Sequence, residues 1–298
     1  MQTIQSSQIS NGHSSVGRLR KVMVCPPRAA AWDSTQQTSR WRELGYFHAP
    51  AFAMAQSQHE VLCRELEAAG AELTLLPAAG DLTLDAVYVH DASLPTDFGL
   101  VLMRPGKSNR VAEARIHGQV LQRMGIPILG EIVPPGCSEA GDMVWLDSRT
   151  LLVGRGYRTN AAGIEQMRRL LQPKGVTVLS APLPHGAGPA TCLHLMSLLS
   201  MLDEKTVLVD ASWLAVETME LLESRGFAQI EIDETERSQL ACNVLSLGDR
   251  RLLALTENPK TNQRLRDSGF DVRTFPGSEL CLNGSGGPTC LTRPLLRD

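Results

Sequence analysis

Four chemically capable residues stand at nearly even intervals along this chain. Asp91 closes the segment DAVYVHD, Asp142 lies in CSEAGDMVWL, His194 in PATCLHLMS and Cys290 in GSGGPTCLTRP. Asp91 to Asp142 is 51 residues, Asp142 to His194 is 52, and His194 to Cys290 is 96, close to two such steps. Glu139 stands just ahead of Gly141 and Asp142. Residues at one phase of a repeat that closes into a ring converge on its axis, so these positions bring a thiol, an imidazole and carboxylates together. Cys290 follows a glycine-rich turn, which lets backbone approach a ligand closely. A thiol there, near a histidine, can be an activated nucleophile. A single free cysteine is as readily an inert small core residue, and the other six, at 25, 63, 137, 192, 242 and 281, read that way. His194, in the apolar run LHLMSLL, fits a core histidine or a catalytic base. Glu139 fits a loop acid or the carboxylate that orients and charges such a base. Asp142, beside Gly141, reads best as a turn residue bonded to its own backbone.

The elements that set this phase recur five times. Each copy is a helix-like stretch closed by glycine and followed by a short apolar strand: VLCRELEAAG–AELTLLP, QVLQRMG–IPILGEI, MRRLLQPKG–VTVLSAP, MELLESRG–FAQIEI and NQRLRDSG–FDVRTFP. The closing glycines are Gly70, Gly125, Gly175, Gly226 and Gly269, spaced by 55, 50, 51 and 43 residues. Glycine after the last helical turn is the expected left-handed C-cap. Hairpin text precedes most helices, with DSR and GDR between apolar runs as turns. Polar starts such as RTNAAG and ENPKTN offer Asn or Thr as helix caps. The unit is therefore strand–strand–helix–strand, and alternating helices and strands define an α/β protein. Modules of this period need their neighbours to bury their apolar faces. Five of them close into a ring whose central channel suits a small ligand.

The bulk composition excludes several classes. The chain has 298 residues, 43% hydrophobic and 20% charged, with a net charge of −3. Acids and bases are interspersed, so there is no footprint for nucleic acid and no basic membrane face. No run of 18 apolar residues could cross a membrane. Residues 1–17 are Ser/Gln-rich, lack the apolar segment of a signal peptide and read as a flexible tail; they only faintly resemble a transit peptide. Residues 18–298 carry the repeat without a linker-like break and read as a single domain. Seven scattered cysteines without a secretory signal point to reduced thiols and a cytoplasmic location. No CxxC or HxxxH spacing suggests a metal site, and neither GxGxxG nor a P-loop implies a cofactor.

The segments DAVYVHD, LMRPGKSNRVAE, EAGDMVWL, GRGYRTN, LHLMS and GGPTCLT, in this order and spacing, resemble the guanidine-modifying enzymes of the pentein superfamily. Within that superfamily the chain looks most like the dimethylarginine dimethylaminohydrolases, and the likeness runs from VMVCPPR to LTRPLL. The resemblance implies a five-bladed α/β-propeller of ββαβ modules and a Cys–His–Glu hydrolase of an arginine-like guanidine, with a homodimer left open. Cys290 would attack the guanidinium carbon through a covalent thiouronium. His194 would serve as acid and then base, and Glu139 would hold it. Asp91 would pair with the guanidinium, Asp85 with the substrate α-amino group, and Arg110 and Arg158 with its α-carboxylate. PPRAAAW, residues 26–32, occupies the position of a lid.

Two departures qualify the resemblance. Arginine deiminases and amidinotransferases carry His-x-Asp, whereas this chain reads His194–Leu195–Met196, as dimethylaminohydrolases do in lacking that acid. Dimethylaminohydrolases carry Glu-Asp where this chain has His90–Asp91, which replaces an anion by a group that titrates near neutrality. The sister readings are amidino transfer to an amine and deimination or two-step hydrolysis of free arginine. A non-catalytic binding pentein and a metal enzyme using Asp91, His194 and Cys290 are more distant alternatives.

Overall fold

The structure, a computed structural model, describes residues 13–189 and 191–298. Its strands form five three-stranded sheets. The first module holds β1 (Leu19–Val24), helix α1 (Phe52–Ala68) and β2 (Glu72–Leu75). The second runs β3 (Ser93–Thr96), β4 (Gly99–Leu102), α2 (Val111–Arg123) and β5 (Ile128–Glu131). The third runs β6 (Met143–Asp147), β7 (Thr150–Arg155), α3 (Ala161–Leu171) and β8 (Thr177–Pro182). The fourth runs β9 (Leu199–Met201), β10 (Thr206–Val209), α4 (Val216–Ser224) and β11 (Ala228–Glu231). The fifth runs β12 (Leu245–Gly248), β13 (Arg251–Leu255), α5 (Pro259–Asp267) and β14 (Asp271–Phe275). The last strand, β15 (Arg293–Arg297), pairs antiparallel with β1 and completes the first blade as β15-β1-β2.

Every blade repeats one pattern. An antiparallel pair is followed by a strand parallel to the middle one, as in β6–β7 and β7–β8. Parallel neighbours require a crossover, and the helix of each module supplies it. This is the ring of five modules expected from the repeat and the five-bladed α/β-propeller of ββαβ modules implied by the resemblance. The five closing glycines adopt φ values of +94°, +86°, +82°, +73° and +84° in chain order. At Gly70, Gly175 and Gly226 no atom lies within 4 Å of where a Cβ would sit, so conformation and not crowding requires glycine there. The GDR turn carries φ +55° at Asp249 and +58° at Arg250, the doubly left-handed geometry that matches hairpin twist.

Two local expectations are revised. Asn160 caps α3 as expected, accepting a bond of 2.8 Å from Gly163 N–H. At α5, however, the capping group is Glu236, whose carboxylate accepts from Lys260 N–H and Thr261 N–H, each at 2.8 Å. Its charge suits a helix N-terminus better than a neutral amide, and Asn258 instead donates to the Gln239 carbonyl at 2.9 Å. Residues 13–17, expected to belong to a flexible tail, are packed. The His13 ring is buried and stacks on Trp145 at 4.2 Å, and the Ser15 hydroxyl accepts the Trp145 N–H at 3.0 Å. The remainder of that expected tail, residues 1–12, lies outside the described residues.

The core consists of four clusters of buried apolar side chains. The strands β15, β3, β6, β9 and β12, one from each blade, all line a single central cavity, so they face the ring axis. The segments that enter these inner strands carry the site.

Candidate active site

Each inner strand is preceded by a short turn, and the polar residues of interest sit on those turns. Asp91 precedes β3, Glu139 and Asp142 flank the turn into β6, His194 caps the turn before β9, and Cys290 lies just ahead of β15. The fifth blade supplies Asn243, two residues before β12. Asn243 stands in no motif of the sequence, and only the gap of nearly two steps between His194 and Cys290 marks its place. Its amide donates to Cys290 Sγ at 3.3 Å, and its Oδ1 accepts Thr289 N–H at 3.0 Å.

His194 and Glu139 form the centre. Glu139 Oε2 lies 2.6 Å from His194 Nε2, and its Oε1 accepts Gly106 N–H at 2.8 Å. Both residues are buried. Burial opposes charge on Glu139, but the hydrogen bond and charge of His194 prevail and hold its carboxyl down to about 2. Burial also opposes charge on His194, yet Cys192, Asp91 and Glu139 together hold it well above the usual imidazole range. The ring is therefore set to be an imidazolium. Its Nδ1 faces Asp91 Oδ1 at 3.9 Å and Cys192 Sγ at 3.6 Å. Cys192, which read as an ordinary loop cysteine, is thus a neighbour of the central histidine; its spacing two residues from His194 is the only sequence signal it gave.

Cys290 is partly accessible. Burial of its sulfur and, next, the Asp91 charge push its thiol up to about 12, with His194 pulling the other way. The resting group is a thiol. Asp91 is buried and accepts from Arg110 Nη1 at 2.5 Å and from Gly141 N–H at 3.1 Å. Gly141 is required there, since a Cβ would fall 2.6 Å from His194 Nδ1 and 2.8 Å from Asp91 Oδ1.

Arg110 departs from its expected place. It is buried, forks onto Glu113 at 2.9 and 2.8 Å, and bonds the Tyr88 carbonyl at 2.8 Å as well as Asp91. Only one of its five N–H groups, on Nη1, is left. The physical reason is the charge of Glu113 one helical turn on, which competes for the guanidinium. Arg158 is also buried, but its Nε has no partner among the described residues and its Nη1 lies 3.7 Å from Glu139 Oε1. Asp85 is buried on the turn Leu84–Val87, and its Oδ2 accepts from Lys107 Nζ at 3.2 Å and Asn109 Nδ2 at 3.1 Å.

Two other residues read differently in three dimensions. Asp142 does not bond its own turn: its Oδ1 accepts Leu195 N–H from the next blade at 2.9 Å, and burial raises its carboxyl to about 7. His90 is not a group titrating near neutrality. It is buried, its Nδ1 bonds the Thr292 carbonyl at 2.8 Å, and burial, then Arg293, holds it well below the usual imidazole range. Met196 lines the axial cavity. Residues 26–32 form a turn anchored by Trp32, whose indole N–H donates to the Leu84 carbonyl at 3.0 Å.

One oxygen or nitrogen each of Asp91, Glu139 and His194 lie within 4.8 Å of one another, so these three could hold a metal ion. Their bonds to Arg110, Gly106 and each other already satisfy them as an acid–base set. The arrangement offers a thiol, a charged imidazole, a carboxylate orienting it and a second carboxylate within one small ring. That set can attack an electron-poor carbon, protonate a leaving nitrogen and grip a cation.

The sequence model of the arginine deiminase family matches residues 84–238 and 212–297. A dimethylarginine dimethylaminohydrolase of Pseudomonas aeruginosa is 29% identical over 82% of this chain and 89% of its own length. One of Streptomyces coelicolor is 29% identical over 80% of this chain and 85% of its own. A structure of the Pseudomonas aeruginosa enzyme, a cysteine-to-serine mutant in complex with citrulline, superposes with a TM-score of 0.76 at 27% identity, over 94% of this chain and all of that one (100%). The N-terminal domain of a cyanobacterial arginine dihydrolase shares the fold, with a TM-score of 0.78 at 21% identity over 93% of this chain and 98% of that domain. The propeller, the ring of turn residues and these matches agree: the chain belongs to the arginine deiminase family of penteins, and it is a hydrolase of guanidino groups.

Proposed function

We propose that this protein hydrolyses a free N-methylated arginine to citrulline and an amine, as a single catalytic domain spanning residues 18–298. The observation that carries the reading is the 2.6 Å bond between Glu139 and His194 on the same ring of turns as Cys290 and Asp91. The absence of an acid two residues after His194, where Met196 stands, favours a methylated guanidine, since no second carboxylate demands an unsubstituted nitrogen. The similarity to dimethylaminohydrolases over most of both chains supports the same choice.

The steps follow from the charges. A guanidinium bound against Asp91 brings a cation beside the Cys290 thiol, which lowers its proton affinity and releases that proton to solvent. The thiolate attacks the guanidinium carbon, forming a C–S bond. His194, held as an imidazolium, gives its proton to the methylated nitrogen, and the C–N bond breaks with loss of the amine. A thiouronium remains on Cys290. Neutral His194 then takes a proton from water, the hydroxide adds to the same carbon, and the C–S bond breaks as the hydroxyl proton passes to sulfur, giving citrulline and restoring the Cys290 thiol and the His194 imidazolium. Asp85 receives the substrate ammonium alongside Lys107. Arg158, with its unpartnered Nε, receives the carboxylate, and Arg110 contributes its remaining N–H while holding Asp91 in place. Protein location in the cytoplasm fits this chemistry, since the nucleophile must stay reduced.

Product analysis tests the reading. Asymmetric dimethylarginine should give citrulline and dimethylamine in equal amounts, and Cys290→Ser should give neither while retaining its fold. Turnover of unsubstituted arginine alone, or of any guanidine only when an amine acceptor is added, would move the activity to deimination or to transfer.

A further inference from the structure

Beyond the catalytic ring, further along the same inner strands, the axis holds a narrow, partly open cavity of about 50 Å³. All five blades line it. Its polar wall combines Arg293, Arg297 and the indole of Trp145 with His90 and five serine and threonine residues, so the only charges on it are the two guanidinium groups. Both arginines are buried. Among the described residues, Nε and Nη2 of Arg293, Nε of Arg297 and Nε1 of Trp145 have no hydrogen-bond partner. Arg297 spends its other nitrogens on the Gly17 carbonyl at 2.5 Å and the Ser246 carbonyl at 3.0 Å.

Among the described residues, no Asp or Glu lines this cavity. Asp91 is the carboxylate whose charge Arg293 feels, but it is committed to Arg110 and Gly141. Residues 1–12 contain no Asp or Glu, so that segment brings no counter-charge either. The two guanidinium groups also repel each other, and burial pushes Arg293 down to about 9 and Arg297 down to about 10. A buried, unpaired cation is costly, and proteins normally satisfy such a charge with an anion. His90 lines the same space but is neutral and supplies no charge.

We propose that this axial cavity binds a small inorganic monoanion of the halide class, held between Arg293 and Arg297 with the Trp145 N–H as a further donor. The cavity has room for such an ion with a little water and none for an amino acid. Arginine and indole N–H groups are the donors an anion needs, and the mainly apolar remainder of the wall strengthens the attraction by excluding solvent. None of its three donors belongs to the catalytic set, so the site stands or falls independently of the methylarginine reading.

The test compares thermal unfolding of the full-length protein in sodium chloride and in sodium gluconate at equal ionic strength, gluconate being too large to enter. Chloride should raise the midpoint with the logarithm of its concentration, by about 5 °C at about a hundredfold excess over Kd. Arg293→Met should lose that chloride-dependent rise, whatever its own midpoint. Equal midpoints in the two salts, or an equal rise in wild type and variant, overturns the proposal. Should Arg293→Met fail to fold, bromide-soaked crystals of the wild type decide: an anomalous peak between Arg293 and Arg297 upholds the site, and water alone there overturns it.

Discussion

At the scale of single residues, the site is defined by two groups that both hold their protons at rest. Cys290 rests as a thiol and His194 as an imidazolium, the reverse of a pre-formed thiolate paired with a neutral base. With the Cys290 thiol pushed up to about 12, its alkylation by iodoacetamide should climb steadily from pH 7 to 10. An ordinary cysteine levels off above about 8.5. Mass spectrometry of the Cys290 peptide reads this directly, and a plateau near the ordinary value contradicts the assignment. The two arginines separate by the partners they hold. Arg158→Ala removes binding common to ground and transition states, so KM should rise by about tenfold or more with kcat little changed. Arg110→Ala strands the buried carboxylates of Asp91 and Glu113, so it should destabilise the fold by about 3–5 kcal/mol. A denaturant titration of both variants checks the contrast; similar stabilities would show that Arg110 is not the structural partner of Asp91.

At the scale of elements, two glycines in similar-looking turns serve different ends. Gly175 closes the helical run after α3 at φ +82° with open space around it. Gly175→Ala should cost about 1–2 kcal/mol, the left-handed penalty, with activity intact. Gly287 sits in the GSGG turn, where a Cβ would fall 2.5 Å from Asn243 Oδ1. Asn243 in turn bonds Cys290 Sγ and Thr289 N–H. Gly287→Ala should therefore lower kcat by about tenfold or more through the displaced thiol. Measuring stability and kcat on both variants gives a crossed pattern, and parallel losses would break the assignment. The repeat, its hairpins and its capping glycines were legible because each is a local signal. The Glu236 cap of α5 was not, because the capping group comes from a separate turn more than twenty residues away.

At the scale of the whole molecule, the ring closes through one pairing. β15, from the end of the described chain, joins β1 and β2 to complete the first blade. The same strand carries Arg293 and Arg297 and follows directly on Cys290. Truncation after Thr292 leaves every catalytic candidate in place but removes this closure. Such a chain should show no cooperative unfolding transition by circular dichroism, because modules of this kind are stable only with neighbours on both sides. A native-like transition in the truncated chain would show that the ring holds without its closing strand.

The sequence alone determined the five modules, the strand–strand–helix–strand order, the phase on which Asp91, Asp142, His194 and Cys290 fall and, through the resemblance, the class of chemistry. These follow from periodicity, glycine at left-handed caps and ordered motifs, all of which are written in neighbouring residues. Only the tertiary structure decided that His90 is neutral, that Arg110 belongs to Asp91 and Glu113, that Asp142 reaches the next blade, and that Asn243 and Cys192 border the two central groups. Each of those depends on burial or on contacts between blades. Charge state is set by the dielectric and the partners around a group, and residues tens of positions apart acquire those only when the ring is closed.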